Sequence, residues 1–236
     1  MLTTLVLSFS LLTLPLTSAA AQTSTNRKPT DIQLFLSSYG PHPRPDLIPT
    51  YIQLVHTMEA AQKAGARHGV IGFMSEVFLA NPAHVREWQQ IVPAEDEELK
   101  RQLNLAFDIS KSGGVLNQPG HSGFLNDEYW GGFFATNDPR FIEKLVDQLP
   151  YCDDRDDLDL FLAGMTAKWS LSSVAQTNPA VRFILQNPRH KDSSQIKQHV
   201  AELLSASDPS IFKKQMRETI IEQRAVGKWT ESRTLR

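Results

Sequence analysis

Apolar residues recur at three- and four-residue intervals through most of this chain. Leu47, Ile48, Tyr51, Ile52, Val55 and Met58 form one such stripe, the signature of an amphipathic helix, and Gly65 is its predicted end. A second, more apolar helix is predicted over 70–80, stopped by Asn81-Pro82. A third covers 99–109. The run Glu95-Asp96-Glu97-Glu98 leads into it, and carboxylates there complement the positive end of the helix dipole. A fourth covers about 158–175. Near the start, residues 31–39 hold a short apolar run (Ile32, Leu34, Phe35, Leu36) that periodicity leaves open between strand and helix. The following GPHPRP at 40–45 predicts an extended connector, because each proline disfavours helix at the residue before it.

An Asn or Asp followed by Pro recurs along the chain, notably at Asn81-Pro82, Asp138-Pro139, Asn178-Pro179 and Asp208-Pro209. Asn and Asp are favoured N-caps, accepting hydrogen bonds from the free N–H groups of a first turn. Proline suits the first helical position, where its missing N–H costs nothing. Apolar residues stand before and after each pair, so each reads as helix, tight turn, capped helix. The prolines are 57, 40 and 30 residues apart, whereas a regular repeat would keep one period. The expected fold class is therefore all-α, an irregular stack of helical hairpins, either α-solenoid-like or an orthogonal bundle. A single all-α domain that reuses good caps is the plainer alternative.

Residues 111–123 (KSGGVLNQPGHSG) are the strongest loop signal, with four glycines and a proline. The organisation expected is a signal peptide at 1–21, an extended leader at 22–45 and a helical domain at 46–236, with 111–123 a candidate division into two subdomains. The signal-peptide reading rests on the apolar run 5–16, too short to span a bilayer, and on Ala19-x-Ala21 before Gln22. Its n-region has no Lys or Arg; a misplaced start or an N-terminal anchor is the alternative. The expected location is periplasmic or secreted.

Composition narrows the function classes. Formal net charge is −2, and the clustered Lys and Arg of a nucleic-acid footprint are not apparent. The segment 213–236 is locally basic, but Glu218, Glu222 and Glu231 interrupt it, so it reads as a solvated helix face. No stretch after the leader approaches the roughly 20 apolar residues of a membrane span. The only cysteine, Cys152, excludes an internal disulfide, so the mature chain must be held by its core.

The runs 130–139 (WGGFFATNDP) and 167–179 (AKWSLSSVAQTNP) resemble paired motifs of a group of exported, all-helical bacterial proteins. That resemblance implies a helical fold and a bacterial source. No activity is attached to that group, so no catalytic residue is carried over.

Chemistry is sparse. Of the seven histidines, His56 with Glu59 and His84 with Glu87 share helix faces at three-residue spacing, but no H-E-x-x-H or Glu-x-x-His pair points to a metal. No metal or cofactor is expected. Cys152 stands beside an acidic run that disfavours its thiolate, which leaves an incidental thiol as the reading. The run 153–159 (DDRDDLD) lacks the Gly and terminal Glu of a calcium loop; helix capping explains it better. G-x-S-x-G, P-loop and G-x-G-x-x-G motifs do not occur.

The richest cluster is 126–134 (NDEYWGGFF). Gly131 and Gly132 in a helical pattern each cost up to about 1 kcal/mol relative to Ala, so a close helix–helix contact is expected there. The candidate binding residues are Asp127, Glu128, Tyr129, Trp130, Lys168 and Trp169. In this reading Tyr129 and Trp130 line a groove and Lys168 pairs with Asp127 or Glu128; core burial of the aromatic rings is the alternative. The function expected is protein binding, as a periplasmic adaptor or inhibitor. The alternative is a hydrolase-like enzyme drawing on His121, Asp127 and Glu128. A structural envelope component is the third option.

Overall fold

A computed structural model describes residues 32–57, 64–187 and 193–229. They form α-helices joined by turns and short 3-10 segments, with no β-strand among the described residues. The protein is all-α. The predicted export segment 1–21 lies outside the described residues, as do Glu59 and His190. The chain divides into two compact units. One runs up to Gln118 and includes Asp127–Phe141; the other comprises Pro119–Asn126 and continues from Ile142.

The first unit holds α1 (Ile32–Tyr39), α2 (Ile48–Thr57), α3 (Ala64–Ala80), α4 (Val85–Gln90) and α5 (Glu97–Lys111). It also takes most of α6 (Gly123–Thr136) and the start of α7 (Pro139–Val146). Residues 70–78 of α3 are all buried, so this largely apolar helix is covered around its circumference and serves as the unit's centre. Helix α5 packs along it. Part of the segment expected to be an extended leader is helix α1 instead. Its Phe35 and Tyr39 are buried in an aromatic cluster, with Phe35 stacked 5.0 Å from Tyr51 and Tyr39 set edge-on at 5.1 Å to Phe73. Tertiary burial decides what a short apolar run leaves open. Gly65 falls in the first turn of α3 and does not end α2. Residues 64–69 (AGARHG) carry no apolar stripe, which hid the start of α3 from periodicity.

The second unit is built around α8 (Leu158–Ala175), against which α9 (Pro179–Gln186), α10 (Ser194–Ser205), α11 (Ser210–Ala225) and the 3-10 segment Leu149–Asp153 are packed. Gly164 makes the last contact possible: a Cβ there would stand 2.3 Å from the Cys152 nitrogen. At the far end, Gly227 at φ 77° turns the chain after α11, and the Lys228 N–H bonds the Gln223 carbonyl at 2.9 Å, a six-to-one helix ending. Trp229 is thereby seated 5.0 Å from the Phe161 ring.

Of the Asn/Asp-Pro pairs beginning at Asn81, Asp138, Asn178 and Asp208, three cap as expected. Asp138 accepts from the Arg140 N–H, Asn178 from Ala180 and Val181, and Asp208 from Ser210. Asn81 does not. Its side chain turns back to donate to the Val77 carbonyl at 2.9 Å, and a 3-10 turn, Pro82–His84, follows before α4. The amide thus completes the end of α3 rather than beginning the next helix. The acidic runs act as caps. Asp96 accepts the Leu99 N–H at 3.0 Å, and Asp157 accepts those of Asp159 and Leu160 at 2.8 and 3.1 Å.

Candidate functional site

The crossing of α3 and α6 positions the acidic part of the candidate cluster. A Cβ on Gly72 would lie 2.1 Å from the Glu128 carbonyl oxygen, and one on Gly131 would lie 2.3 Å from that of Gly69. Only bare glycine permits this approach. It brings the residue beside Gly69 to the carboxylate: His68 Nδ1 is 2.8 Å from Glu128 Oε1. Asp127 adjoins Glu128 on α6, and burial, reinforced by the neighbouring Glu128, holds its carboxyl well above the ordinary range. One imidazole and one carboxylate therefore meet at a helix crossing, with Asp127 next to Glu128 in sequence. His68 was among the histidines counted in the sequence but was given no role; the only local signal is its place in the small-residue stripe Gly65, Gly69, Gly72.

Of the two readings of the aromatic part of the cluster, groove or core, the structure has the core. Tyr129 and Trp130 are each 2% exposed, and Trp130 stacks 5.9 Å from Phe134. They are core residues and present no groove to solvent. Burial of two large rings outweighs the polar handle each carries.

In the second unit Lys168 is buried on α8. Its ammonium donates to Glu202 on α10 and to His199 Nδ1 at 3.2 Å, with the Phe212 ring centroid 5.0 Å away. Glu202 is its carboxylate partner; the pairing with Asp127 or Glu128 expected from sequence gives way to this contact between neighbouring helices. An ammonium only donates, so His199 Nδ1 accepts and the ring proton resides on Nε2, which lies 3.2 Å from Asp153 Oδ2 without hydrogen-bond geometry. Glu202, Lys168 and His199 thus form a hydrogen-bonded chain, and Asp153 beside its end accepts from Gln195 at 3.0 Å. Cys152 lies near it, and burial pushes its thiol up to about 12. That thiol stays protonated and is a poor nucleophile.

Trp169, next to Lys168, is half-buried, and the Lys213 ammonium of α11 sits 3.7 Å above its ring. His121 of the 111–123 loop lies tilted against Tyr151, its ring held by Gln148 at 3.0 Å and by the tyrosine hydroxyl at 3.2 Å. Asp154 Oδ1 accepts the N–H groups of Asp156 and Asp157 at 2.9 and 2.8 Å, which commits that oxygen to the turn. His56 bonds Asp96 at 2.7 Å, and His84 and Glu87 form an exposed pair at 3.3 Å. Among the described residues no group of three or more His, Cys, Asp or Glu is arranged to hold a metal, and no helix is long and apolar enough to cross a membrane.

Comparison of the chain with protein-family models, curated proteins and solved structures found no match.

Proposed function

We propose that this chain is an exported helical protein that acts by binding another protein, as an adaptor or inhibitor outside the cytoplasm, with α11 as the binding element. One observation carries the reading. Of the residues of α11, only Phe212 is fully buried, while Ile221 on its outward face is 68% exposed and Val226 at its end 71%. Leaving such a side chain in water forgoes roughly 1.5–3 kcal/mol of burial, and a β-branched residue adds nothing to an exposed helix. A partner that covers them recovers that energy. Export is supported by the apolar run and Ala-x-Ala end of 1–21.

A photo-crosslinking residue placed at Ile221 in the native host tests the reading, with Lys111 on α5 as the control position. A discrete adduct from position 221 alone is expected. No adduct, or the same adducts from both positions, would overturn it.

A second reading is acid–base chemistry at His68, Asp127 and Glu128. It is favoured by the His68–Glu128 contact, next in sequence to the Asp127 carboxyl whose pKa burial raises well above the ordinary range. Turnover of an ester, phosphomonoester or glycoside substrate that disappears in Glu128→Gln supports it. Failure of the native protein to turn over all three counts against it.

A further inference from the structure

The residues of α11 separate cleanly by direction. Phe212, Met216, Thr219, Ile220 and Gln223 recur at the three- and four-residue spacing of one face, and each is buried or half-buried. That face is turned toward α8. Lys213, Arg217, Ile221 and Arg224, spaced four, four and three apart, make a neighbouring stripe. This stripe is basic, apolar at its centre, and about 16 Å long at 1.5 Å per residue.

Among the described residues the charges of the stripe are not balanced. Lys214 has a carboxylate, Glu218, at 3.8 Å. Among the described residues Lys213, Arg217 and Arg224 have none. Lys213 meets the Trp169 ring, and both burial and the Arg217 charge push its pKa down. Like charges four apart on a helix repel, and the fold does nothing to relieve them. Two cations pressed together beside a half-buried indole, then an exposed isoleucine, then a third cation make a surface that is complementary to carboxylates on either side of an apolar side chain.

We propose that the Lys213–Arg217–Ile221–Arg224 stripe, with Trp169 at its end, docks an acidic amphipathic helix of a partner protein. This inference rests on the protein-binding reading and names the partner's chemistry. A partner helix with Glu or Asp at three- or four-residue spacing about a Leu or Ile would place a carboxylate against each guanidinium and its apolar residue on Ile221. Arg favours such pairing because its planar fork takes a carboxylate with two hydrogen bonds. An anionic membrane surface fits less well. Polybasic lipid-binding segments carry about 4–8 cations, whereas this stripe has Glu218 and Glu222 on its flank.

The test uses the full exported chain and a fluorescently labelled, helix-stapled peptide with Glu residues on both sides of a Leu, together with its Lys-for-Glu counterpart and phosphatidylglycerol vesicles. Anisotropy at low salt should show binding of the acidic peptide only, weakening with added salt. Arg217→Glu should weaken it roughly tenfold or more and confer affinity for the basic peptide. Circular dichroism of that variant should be unchanged, since Arg217 is exposed. Equal binding of both peptides, or no effect of Arg217→Glu, would overturn the proposal, as would vesicle binding without peptide binding. If position 221 still crosslinks to a protein while the peptide results fail, the binding reading stands and the acidic class is wrong. If crosslinking fails too, both fall.

Discussion

Gly72 of α3 and Glu128 of α6 meet backbone to backbone: a Cβ on the glycine would lie 2.1 Å from the glutamate's carbonyl oxygen and 2.6 Å from its Cα. Neither atom can rotate away. The contact holds His68 against the Glu128 carboxylate, so one glycine links the core of the first unit to its candidate acid–base cluster. Gly72→Ala should therefore destabilise by more than about 3 kcal/mol, beyond the usual cost of overpacking, and should also loosen the His68–Glu128 pair. Urea unfolding and the histidine ring chemical shifts measure the two effects.

Gly132 presents a milder case. Its Cβ would meet the Phe141 ring at 2.3 Å, and that ring is itself buried. Propensity favours Ala over Gly by up to about 1 kcal/mol, while displacing a packed ring costs roughly 1–3 kcal/mol. The steric effect prevails, so Gly132→Ala should lower stability by about 1–2 kcal/mol and Gly132→Leu by more. An Ala variant more stable than the native protein would contradict the close contact.

Asp127 should make stability fall as pH rises. Its folded-state pKa lies above the unfolded value, first because of burial and then because of Glu128. The folded chain thus holds the proton more tightly. The resulting stabilisation is full below the unfolded pKa of about 4 and is lost as pH climbs through the raised folded value. Asp127→Asn cannot ionise. Its stability relative to the native protein should therefore improve progressively above about pH 4, as read from melting temperatures across a pH series.

Asp96 should act in the opposite direction. Burial tends to raise its pKa, but the His56 contact and the Leu99 N–H outweigh that and leave it lowered. Its contribution is present above the unfolded pKa and disappears as pH falls through the lower folded one. Asp96→Ala removes the α5 cap and should cost about 1–2 kcal/mol at neutral pH. Asp96→Asn retains the cap and should cost less.

The Lys168–Glu202 pair should respond unequally to loss of either member. Lys168 is 7% exposed at the side chain and Glu202 is 41% exposed. Glu202→Ala strands a buried ammonium with only His199 as acceptor, and should cost about 3 kcal/mol. Lys168→Met replaces the buried charge with an apolar chain of similar length and leaves a carboxylate that water can reach, so it should cost clearly less. Equal losses would place the pair's importance in its mutual attraction instead of in the burial of the lysine.

The amino-acid sequence by itself determined the features that depend on residues within about four positions of one another. The three- and four-residue apolar spacing specifies helix. Asp157 and Asn178 start α8 and α9 because their side chains reach N–H groups two or three residues ahead. The limits of α8, expected at 158 and 175, are those observed. Gly131 and Gly132 announce a close contact because nothing else offsets their lost propensity. Only the tertiary structure decided what those helices bring together. His68 reaches Glu128 across 60 residues and Lys168 reaches Glu202 across 34, separations over which no local spacing rule operates. The sequence alone favours core for Tyr129 and Trp130 without excluding a groove, because an aromatic ring serves either. Their direction is set by where α3 crosses α6, and that depends on how closely two glycine-lined backbones can approach.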